Sequence, residues 1–393
     1  MALKIKRPHL REIREKNRVG ILRMLRNSEM VSRPMIADSL GLSKMSVSRL
    51  VRDLMSEGIC IAIGGENSSK SLGRRPDVIR INPKYGIVVA ICLSAFSKTI
   101  TISDITGATL LKKSIPEDAC QRPDDAITFI DKTVRNFARD QKNSYLKLLG
   151  CSVVVAGKFN TKSGILLSAP LLNWPQFELQ KRIKACLDCP VVVDNIANAL
   201  CMNYVDTTVK LSSKNLNIML VHIAVGMGAS LFVNGALVRR GGDEGWVGKT
   251  KLHNQSEFIG EETTLSDYVS GHAIIAEIVK RTDFVLDTSK DFASNFRRAI
   301  SLSNFENSEL VKIFTNTGEI LGKNLFYLSV GIRPDLLVLG GPIRHSKPFI
   351  IGVDKGLEMA SKQMGETFNP IKVSNYSYID AAKNIALREH VYS

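Results

Sequence analysis

The sequence lacks any long hydrophobic run. A helix that spans a bilayer needs about 20 consecutive apolar residues, and no stretch of this 393-residue chain approaches that length. The first ten residues, "MALKIKRPHL", also lack the apolar centre of a signal peptide. We therefore expect a cytoplasmic protein that is not inserted into a membrane, with its length divided among about two or three domains.

Cysteines are few and follow no regular pattern. The seven cysteines lie at positions 60, 92, 120, 151, 186, 189 and 201, which is an odd number with irregular spacing. This distribution favours reduced, buried thiols over a framework of disulfides. Cys186 and Cys189 form a C-x-x-C without a second pair or a suitably spaced histidine, so we predict neither a metal site nor a redox site there.

Basic residues are concentrated in the first fifth of the chain. The whole chain has 53 Lys and Arg against 38 Asp and Glu, for a net charge of +15. Residues 1–80 contain 17 of the basic residues and only 8 of the acidic ones, so most of the excess is located there. Such a basic segment attracts polyanions, which favours nucleic acid as a partner. The alternative is an ordinary solvated face on a basic protein.

The same segment has the pattern of three short helices, beginning near Asn17. In "SRPMIADSLG", Ser32 is placed to cap a helix and Gly41 to end it in the left-handed conformation. The next helix, "LSKMSVSRLVRDLMSEG", is capped by Ser43. Its apolar residues at helical spacing form one buried stripe: Val47, Leu50, Val51 and Leu54. A helix, a tight turn and a second helix predict a helix-turn-helix, and the alternative is a three-helix subdomain without a DNA-binding role.

The opposite face of this last helix is small, polar and basic. A recognition helix enters a DNA groove about 12 Å wide, and its exposed start carries the residues that reach phosphates and base edges. We therefore predict a contact with double-stranded DNA through this face. Its members are Ser43, Lys44, Met45, Ser46, Ser48, Arg49 and Arg52.

A predicted β-hairpin wing follows the helices. In "GICIAIGGENSSKSLGRRPDVIRINP", apolar residues alternate on both sides of a loop rich in Gly and Ser. Arg74 and Arg75 lie next to each other at the end of this loop, and arginines on a narrow loop suit the negative potential of an A·T-rich minor groove. The alternative is a solvated loop that favours phosphate.

From Tyr85 onwards, buried strands alternate with helical stretches. Two strands joined by "DITG", helices between later strands, and a second set that repeats the scheme predict two α/β lobes with a ligand cleft at the strand ends. The predicted helical stretches are 124–142, 176–187, 268–281 and 308–329.

These motifs, taken in order, resemble the ROK family of transcriptional repressors and sugar kinases, in particular the winged-helix xylose- and N-acetylglucosamine-repressor type. The resemblance rests on "NRVGILRMLR", "GLSKMSVSRLV", "SLGRRPDVIRINP", "DITG", "NWPQFELQKRI", "DNIANAL", "GMGASLFVNGALVRRG" and "PDLLVLGGPI". It implies an α+β winged helix-turn-helix in residues 1–82, followed by an α/β two-lobed actin/hexokinase-like domain. The first lobe is expected in 83–198 plus about 376–393, and the second in 199–375.

The resemblance implies a repressor of carbohydrate-related genes. In the family, binding of a sugar or sugar phosphate in the cleft changes the affinity for DNA. A homodimer or homotetramer is expected, with paired half-sites about one or two helical turns apart.

The positions that resemble the catalytic loops of the family's kinases have changed. In "AICLSAF", Cys92 stands for the magnesium-binding Asp of a D-x-G-G-T-like loop, and Ser94 stands for a Gly. In "AVGMGAS", Ala224 and Val225 replace the Gly and Thr of the second phosphate loop. In "VVVDNIANAL", Ile196 occupies the position of the Asp that accepts the sugar hydroxyl proton, and an alkyl group does not accept a proton. We expect Asp194 to cap the helix that follows. We therefore predict no catalytic residue and no kinase activity.

The sugar and zinc positions differ as well. Lys249 stands for the sugar-binding Glu, and Leu171 for an Asn that usually touches sugar. The expected zinc loop has no cysteine, and because structural zinc needs about four N or S ligands, we predict neither a metal nor a cofactor. A polar or anionic effector would be bound by Asn173, Asn195, Asn198, Lys249 and His253. The alternatives are a sugar kinase with a displaced base and a cleft that serves only as a dimerisation scaffold.

Overall fold

The amino-terminal part of the chain forms a helical module with a short hairpin. The structure is a computed structural model that describes residues 10–28, 31–63, 78–140, 143, 146–208, 216–239, 246–251, 263–305 and 309–392. The module consists of α1 Leu10–Asn27, α2 Arg33–Leu40, α3 Lys44–Ser56, β1 Cys60–Ile63 and β2 Val78–Ile81. Strands β1 and β2 pair antiparallel, which agrees with the stem of the predicted wing.

The helix caps lie where the sequence predicts them. The Ser32 side chain accepts a hydrogen bond from the Met35 amide at the start of α2, and the Ser43 side chain accepts one from the Ser46 amide at the start of α3. Gly41, directly after α2, has a φ of 63°, a conformation that glycine adopts without strain. The predicted stripe of α3 is buried along its whole length. Local signals therefore produce the tight turn between α2 and α3.

Helix α1 begins earlier than the pattern predicts. The apolar periodicity starts after Asn17, but the helix starts at Leu10. Its polar first half is held by ion pairs with α3: Arg14 bonds Asp53 at 2.6 Å and Arg18 bonds Glu57 at 2.5 Å. These partners lie far away in the chain, so the hydrophobic pattern of α1 contains no sign of them.

A five-stranded mixed sheet forms the first half of the large domain. Its elements are β3 Ile87–Ser94, β4 Ser97–Asp104, β5 Thr109–Ser114, α4 Pro123–Arg139, β6 Leu148–Val155, β7 Lys158–Asn160, β8 Ile165–Ser168, α5 Leu179–Leu187 and β9 Val191–Asn195. The strand order is β5-β4-β3-β6-β9, in which β3, β6 and β9 pair parallel, while β4 pairs antiparallel with both β3 and β5. Strands β7 and β8 form a separate hairpin.

A second sheet repeats this topology. Its elements are α6 Ile196–Thr208, β10 Ile218–Ile223, β11 Met227–Val233, β12 Ala236–Leu237, α7 Ser266–Val269, α8 Gly271–Arg281, α9 Phe292–Leu302, α10 Glu309–Ser329, β13 Leu336–Gly340, α11 Lys347–Met364, β14 Lys372–Val373 and α12 Tyr378–His390. The order is β12-β11-β10-β13-β14, in which β10, β13 and β14 pair parallel, while β11 pairs antiparallel with both β10 and β12. The prediction of two α/β lobes is confirmed.

The predicted helices are present with one difference. The stretch 268–281 is two helices, because Ser270 has extended backbone angles and its side chain caps α8 by accepting the Ala273 amide.

The last helix, α12, packs against β3 and β6 of the first sheet and against α6. The boundaries between the domains stay predictions. In the described part of the chain, no helix has the length and apolar character needed to cross a membrane.

Candidate functional site

The outward face of α3 carries the residues predicted to contact DNA. Met45 is 82% exposed at the first turn, and Arg49 and Arg52 are exposed further along the helix. Three further predicted contact residues are also exposed: Ser43, Lys44 and Ser46. Ser48 is half-buried at the edge of the face. The Ser43 hydroxyl lies 2.9 Å from that of Ser46, so both hydroxyls already take part in the cap. The surface therefore presents a helix amino terminus with a cation on each of its first three turns, which favours phosphate.

The two carboxylates near the end of α3 face α1 instead of this surface. Asp53 is paired with Arg14, and Glu57 accepts hydrogen bonds from both terminal nitrogens of Arg18. Since these ion pairs neutralise the acidic residues of the helix, they reduce repulsion between α3 and a phosphate backbone. The exposed charge of α3 that remains is positive.

The predicted wing arginines lie outside the described residues. Both Arg74 and Arg75 fall within 64–77, so nothing about their position follows from the structure. The strands on either side are in register, with Ile63 opposite Val78 and Cys60 opposite Ile81. The prediction that the loop arginines contact DNA stays a prediction.

The carboxyl-terminal end of α1 contacts the large domain. Arg26 donates a hydrogen bond of 2.6 Å to the Asn384 side chain in α12, and its guanidinium lies 5.5 Å from the ring centroid of Tyr392. Asp206, in the last turns of α6, accepts hydrogen bonds from Asn384 at 3.0 Å and from Arg388 at 2.8 Å. We call these five side chains the junction. Sequence reasoning did not identify it, because its members come from three separate helices and from Tyr392, beyond the end of α12.

A cleft of about 570 Å³ lies between the two sheets. Its walls are the loops that follow β3 and β6, the start of α6, the turn between β10 and β11, and the starts of α7 and α8. The polar residues on its walls include Lys158, Asn195, His222, Lys249 and His272. No Asp or Glu lines the cleft in the described part of the chain. The cleft therefore offers cations and neutral donors to a ligand and no carboxylate.

Hydrogen bonds at the start of α6 decide which side chains face the cleft. The Asn195 side chain accepts the Asn198 amide at 2.8 Å, so Asn195 caps α6 while it lines the cleft. Asp194 is 1% exposed, binds Arg239 at 2.5 Å, and accepts hydrogen bonds from the Asn195 amide and the Asn198 side chain. The prediction that Asp194 caps the helix was therefore wrong. Its carboxylate is held inside the protein by an arginine and two nitrogen donors.

A family model matches the two-sheet part of this molecule. The model of the ROK family covers residues 96–377, which is most of the chain. The chain belongs to the ROK family. This membership confirms the resemblance inferred from the motifs, and with it the two-lobed actin/hexokinase-like fold.

Both repressors and kinases are among the ROK proteins similar to this chain. The xylose repressor of Staphylococcus xylosus is 25% identical over 344 residues, which cover 85% of this chain and 84% of the repressor. A solved ROK family transcriptional regulator, a homologue of the E. coli MLC protein, has a TM-score of 0.70 at 17% identity and covers 97% of this chain and 98% of that chain. A ROK glucokinase from Streptomyces griseus, in complex with glucose and AMPPNP, has a TM-score of 0.60 at 16% identity and covers 77% of this chain and 99% of the kinase.

The positions that the sequence resemblance assigns to the ROK catalytic loops carry groups unsuited to phosphoryl transfer. Ile196, at the position of the proton acceptor, is 4% exposed and lines the cleft with an alkyl group. Burial raises the pKa of the Cys92 thiol to about 12, so this side chain is neutral where a metal-binding carboxylate would be charged. The Ser94 hydroxyl accepts the amides of Phe96 and Ser97 and so closes its own turn. Nothing at these positions provides a base or a negative charge for a metal ion.

Two of the predicted ligand residues do not face the cleft. Asn198 is fully buried, its side-chain nitrogen bonds Asp194, and its oxygen accepts the Ser230 hydroxyl, so its side chain lies inside the protein and away from the cleft. Asn173 is exposed outside the cleft because it takes the left-handed conformation (φ 53°) that ends the turn Pro170–Leu172. Leu171 lines the cleft instead. Both predictions are corrected by these contacts.

The other predicted ligand residues have different outcomes. Asn195 and Lys249 line the cleft, as a ligand-binding role requires. His253 lies outside the described residues. Sequence reasoning missed Lys158, His222 and His272, which reach the cleft from the ends of separate elements. No cluster of His, Cys, Asp and Glu that would hold a metal ion occurs among the described residues. The prediction that the family's zinc loop binds no metal stays a prediction, since residues 252–262 are not described.

A buried histidine in the cleft wall makes the stability of the protein dependent on pH. His222 bonds the Tyr378 hydroxyl at 2.8 Å, and burial, with a smaller contribution from the Arg344 charge, lowers the pKa of His222 to about 4. The folded-state pKa lies below the unfolded value of 6.5, so the unfolded chain takes up the proton first as the pH falls. This contribution is complete above about pH 6.5 and is lost towards about pH 4.

We expect His222→Gln to remove about 2 kcal/mol of the stability difference between about pH 7 and about pH 5. Glutamine keeps an acceptor for the Tyr378 hydroxyl but does not titrate. The measurement is the free energy of unfolding by denaturant at the two pH values, in both proteins. His345 and His390, whose pKa values are also lowered by burial, remain in the variant and serve as an internal control. Equal pH dependence in the two proteins would contradict the assignment.

Proposed function

We propose that the protein is a DNA-binding transcriptional repressor of sugar-related genes whose ROK domain senses a ligand and does not phosphorylate it. The observation that carries this proposal is the outward face of α3, where a capped and exposed helix start combines hydroxyls with Lys44, Arg49 and Arg52. Family membership and the repressors among the relatives support the same function.

Helix α3 is proposed to enter the major groove of DNA. The small exposed residues at its start let the helix approach the base edges, and the positive end of the helix dipole faces phosphate. Arg49 reaches a guanine or a phosphate, and Arg52 holds the backbone one turn further along. The wing arginines, Arg74 and Arg75, add a contact in the neighbouring minor groove.

The cleft is proposed to bind a sugar-like or anionic small molecule. Lys249 and Lys158 favour an acid or a phosphate group, while Asn195 offers an amide at the start of α6. His253 belongs to this set as a prediction from sequence. A neutral sugar held by a carboxylate clamp is disfavoured, because no carboxylate lines the described part of the cleft.

Helix α6 supplies a path from this ligand to DNA. It begins at the cleft next to Asn195 and ends near Asp206, which shares Asn384 with Arg26 of the DNA-binding module. A ligand that shifts the start of α6 would therefore change the contacts at the junction and, through α1, the position of α3. Such coupling requires that the ligand bind two arrangements of the domain with different affinity.

The protein is proposed to act as a homodimer or homotetramer. A two-fold symmetric assembly presents two copies of α3, and paired half-sites about one helical turn, or a multiple of it, apart fit that symmetry. Binding to such a site neutralises several phosphates, so we expect affinity to fall steeply as the salt concentration rises.

Selection of DNA fragments tests the proposed function. The purified protein is mixed with sheared genomic DNA at moderate salt, and the retained fragments are sequenced. We expect enrichment of a few roughly palindromic sites next to sugar-related genes, together with loss of this enrichment in an Arg49→Ala, Arg52→Ala double variant. Equal, unselective retention by both proteins would contradict the proposal.

A turnover assay tests the absence of kinase activity. The protein is incubated with ATP, magnesium and a panel of hexoses and aminosugars, and ADP release is measured. We expect no release above the background of a mock preparation. Steady release that Asn195→Ala abolishes would show that the cleft still catalyses phosphoryl transfer, and the proposal of a sensor without enzymatic activity would be wrong.

A further inference from the structure

One large apolar side chain of the DNA-binding module points into solvent. Met45, the second residue of α3, is 82% exposed, a larger fraction than any other large apolar side chain of the described residues. The buried stripe of the same helix is complete without it: Val47, Leu50, Val51 and Leu54. Met45 therefore contributes little to the core. Single exposed apolar residues are common on protein surfaces, so the surroundings of Met45 decide what it does.

The side chain of Met45 lies in the middle of the outward face of α3. At about 100° per residue, it points roughly 190° away from the centre of the buried stripe. Arg49 and Arg52 are exposed, and both lie within about 40° of Met45 around the helix axis. The carboxylates further along the helix, Asp53 and Glu57, are paired with arginines of α1. The face therefore presents one apolar group beside two cations, and its charge is complementary to that of DNA.

Met45 also lies at the end of α3 that reaches the bases in a helix-turn-helix. The amino-terminal residues of a recognition helix contact base edges, whereas the preceding helix crosses the backbone. Side chains of a helix lean towards its amino terminus, so the thioether of Met45 extends beyond the first turn. The cap fixes the backbone there, because the Ser43 hydroxyl accepts the Ser46 amide at 3.1 Å. Met45 is thus held where a side chain reaches the base pairs.

The chemistry of methionine limits which base edge it recognises. Its thioether carries no donor and is only a weak acceptor, so it does not match the oxygen and nitrogen groups of the major groove. The C5 methyl of thymine is the apolar group on these edges. An unbranched, flexible side chain adapts its shape to such a methyl, and the contact removes both groups from water. A contact of this kind distinguishes thymine from the other three bases.

We propose that Met45 contacts the C5 methyl of a thymine in each half-site and thereby sets the sequence preference of the protein at that base pair. The inference rests on the proposed function, in which α3 enters the major groove. Arg49 and Arg52 supply attraction to a negative partner, and Met45 adds discrimination that does not depend on charge. Its contribution should therefore persist at high salt, where that of the phosphate contacts falls.

Replacement of thymine by deoxyuridine, which lacks only the C5 methyl, tests this proposal. Each thymine of a selected palindromic site is replaced in turn, at both symmetry-related positions, and the affinity of the full chain is measured by fluorescence anisotropy. We expect one such pair of replacements to weaken binding by about 15-fold, since burial of one methyl is worth about fourfold at each half-site. Met45→Ala should bind the thymine site more weakly and should not distinguish it from the deoxyuridine site.

Three control variants separate this contact from a general loss of binding. Met45→Leu keeps an apolar side chain of similar volume and should keep the preference for thymine. Arg49→Ala should bind more weakly and still distinguish the two sites. Met364→Ala removes a methionine that is 52% exposed at the end of α11, outside the DNA-binding module, and should match the unmodified protein. Circular dichroism establishes that each variant is folded, which the exposure of Met45 leads us to expect.

The outcomes distinguish the role of Met45 from the proposed function. Selective binding to DNA that no deoxyuridine weakens, or that deoxyuridine weakens equally in Met45→Ala, would overturn the role of Met45 and leave the proposed function standing. Absence of selective binding to any site would overturn the proposed function, and the role of Met45 with it.

Discussion

Replacement of Asp194 by alanine is expected to lower the free energy of unfolding by about 3 kcal/mol. The carboxylate is buried, and its removal leaves Arg239, the Asn195 amide and the Asn198 side chain without their acceptor. Loss of one partner from a buried ion pair costs about 3–5 kcal/mol, and we expect the lower end because Arg239 remains 37% exposed. Chemical denaturation at neutral pH measures the effect.

The matched control is Asp131→Ala. Asp131 pairs with Arg135 one turn away on α4, where both side chains reach solvent, so the same substitution should cost less than about 1 kcal/mol. Asp194→Asn keeps an oxygen acceptor but loses the charge. It should lower the free energy of unfolding by an amount between those of Asp194→Ala and Asp131→Ala. If Asp194→Ala left stability unchanged and removed a phosphoryl-transfer activity, Asp194 would be a displaced catalytic base and not a structural carboxylate.

Replacement of Arg49 by alanine is expected to weaken binding to the selected DNA site by about 10- to 100-fold. Arg49 is exposed on the outward face of α3 and makes no described ion pair, so its removal should not affect folding. A contact with guanine or with phosphate is worth about 1–3 kcal/mol. Fluorescence anisotropy with a labelled duplex measures the change.

The salt dependence separates the two roles of Arg49. If it reads guanine, the variant should lose preference at one base pair; if it holds phosphate, affinity for all sequences should fall together and the salt slope should decrease by about one. Arg139→Ala, which removes an exposed arginine from the end of α4, is the matched control and should bind DNA like the unmodified protein. An unchanged affinity in Arg49→Ala would exclude this residue from the recognition surface.

Packed helices connect the cleft to the DNA-binding module. Helix α6 is buried along its first nine residues and packs on α12, whose Asn384 is bonded by Arg26 of α1. Burial lowers the pKa of Arg23, which lies in the same small space between α1, α6 and α12. The start of α6 at the cleft is therefore joined through α12 to the module that carries α3.

Prediction succeeded where a short stretch of chain contains all the residues that decide its structure. The Ser43 cap, the left-handed Gly41 and the buried stripe of α3 each depend on residues within a few positions of one another. The start of α1 was predicted less accurately, because it depends on distant residues. Its first half contains arginines whose partners, Asp53 and Glu57, lie near the end of another helix.

Prediction of the ligand residues failed where the deciding partner is distant. Asn198 was a reasonable candidate for the cleft, but the oxygen of its side chain is taken by Ser230 on β11 and its nitrogen by Asp194. Asn173 is directed away by the turn that brings Leu171 to the cleft. The side chain of a polar residue next to a strand end can point into the cleft or away from it, and only packing against other elements decides between the two.

The sequence alone determined the basic helix-turn-helix, the repeated α/β scheme and the ROK membership suggested by its motifs. These properties rest on residue type, periodicity and order, which do not change on folding. Only the tertiary structure decided that Asp194 pairs with Arg239 and that Arg26 connects α1 to α12. The physical reason is that these groups are far apart in the chain, and the packing of whole helices and sheets brings them together.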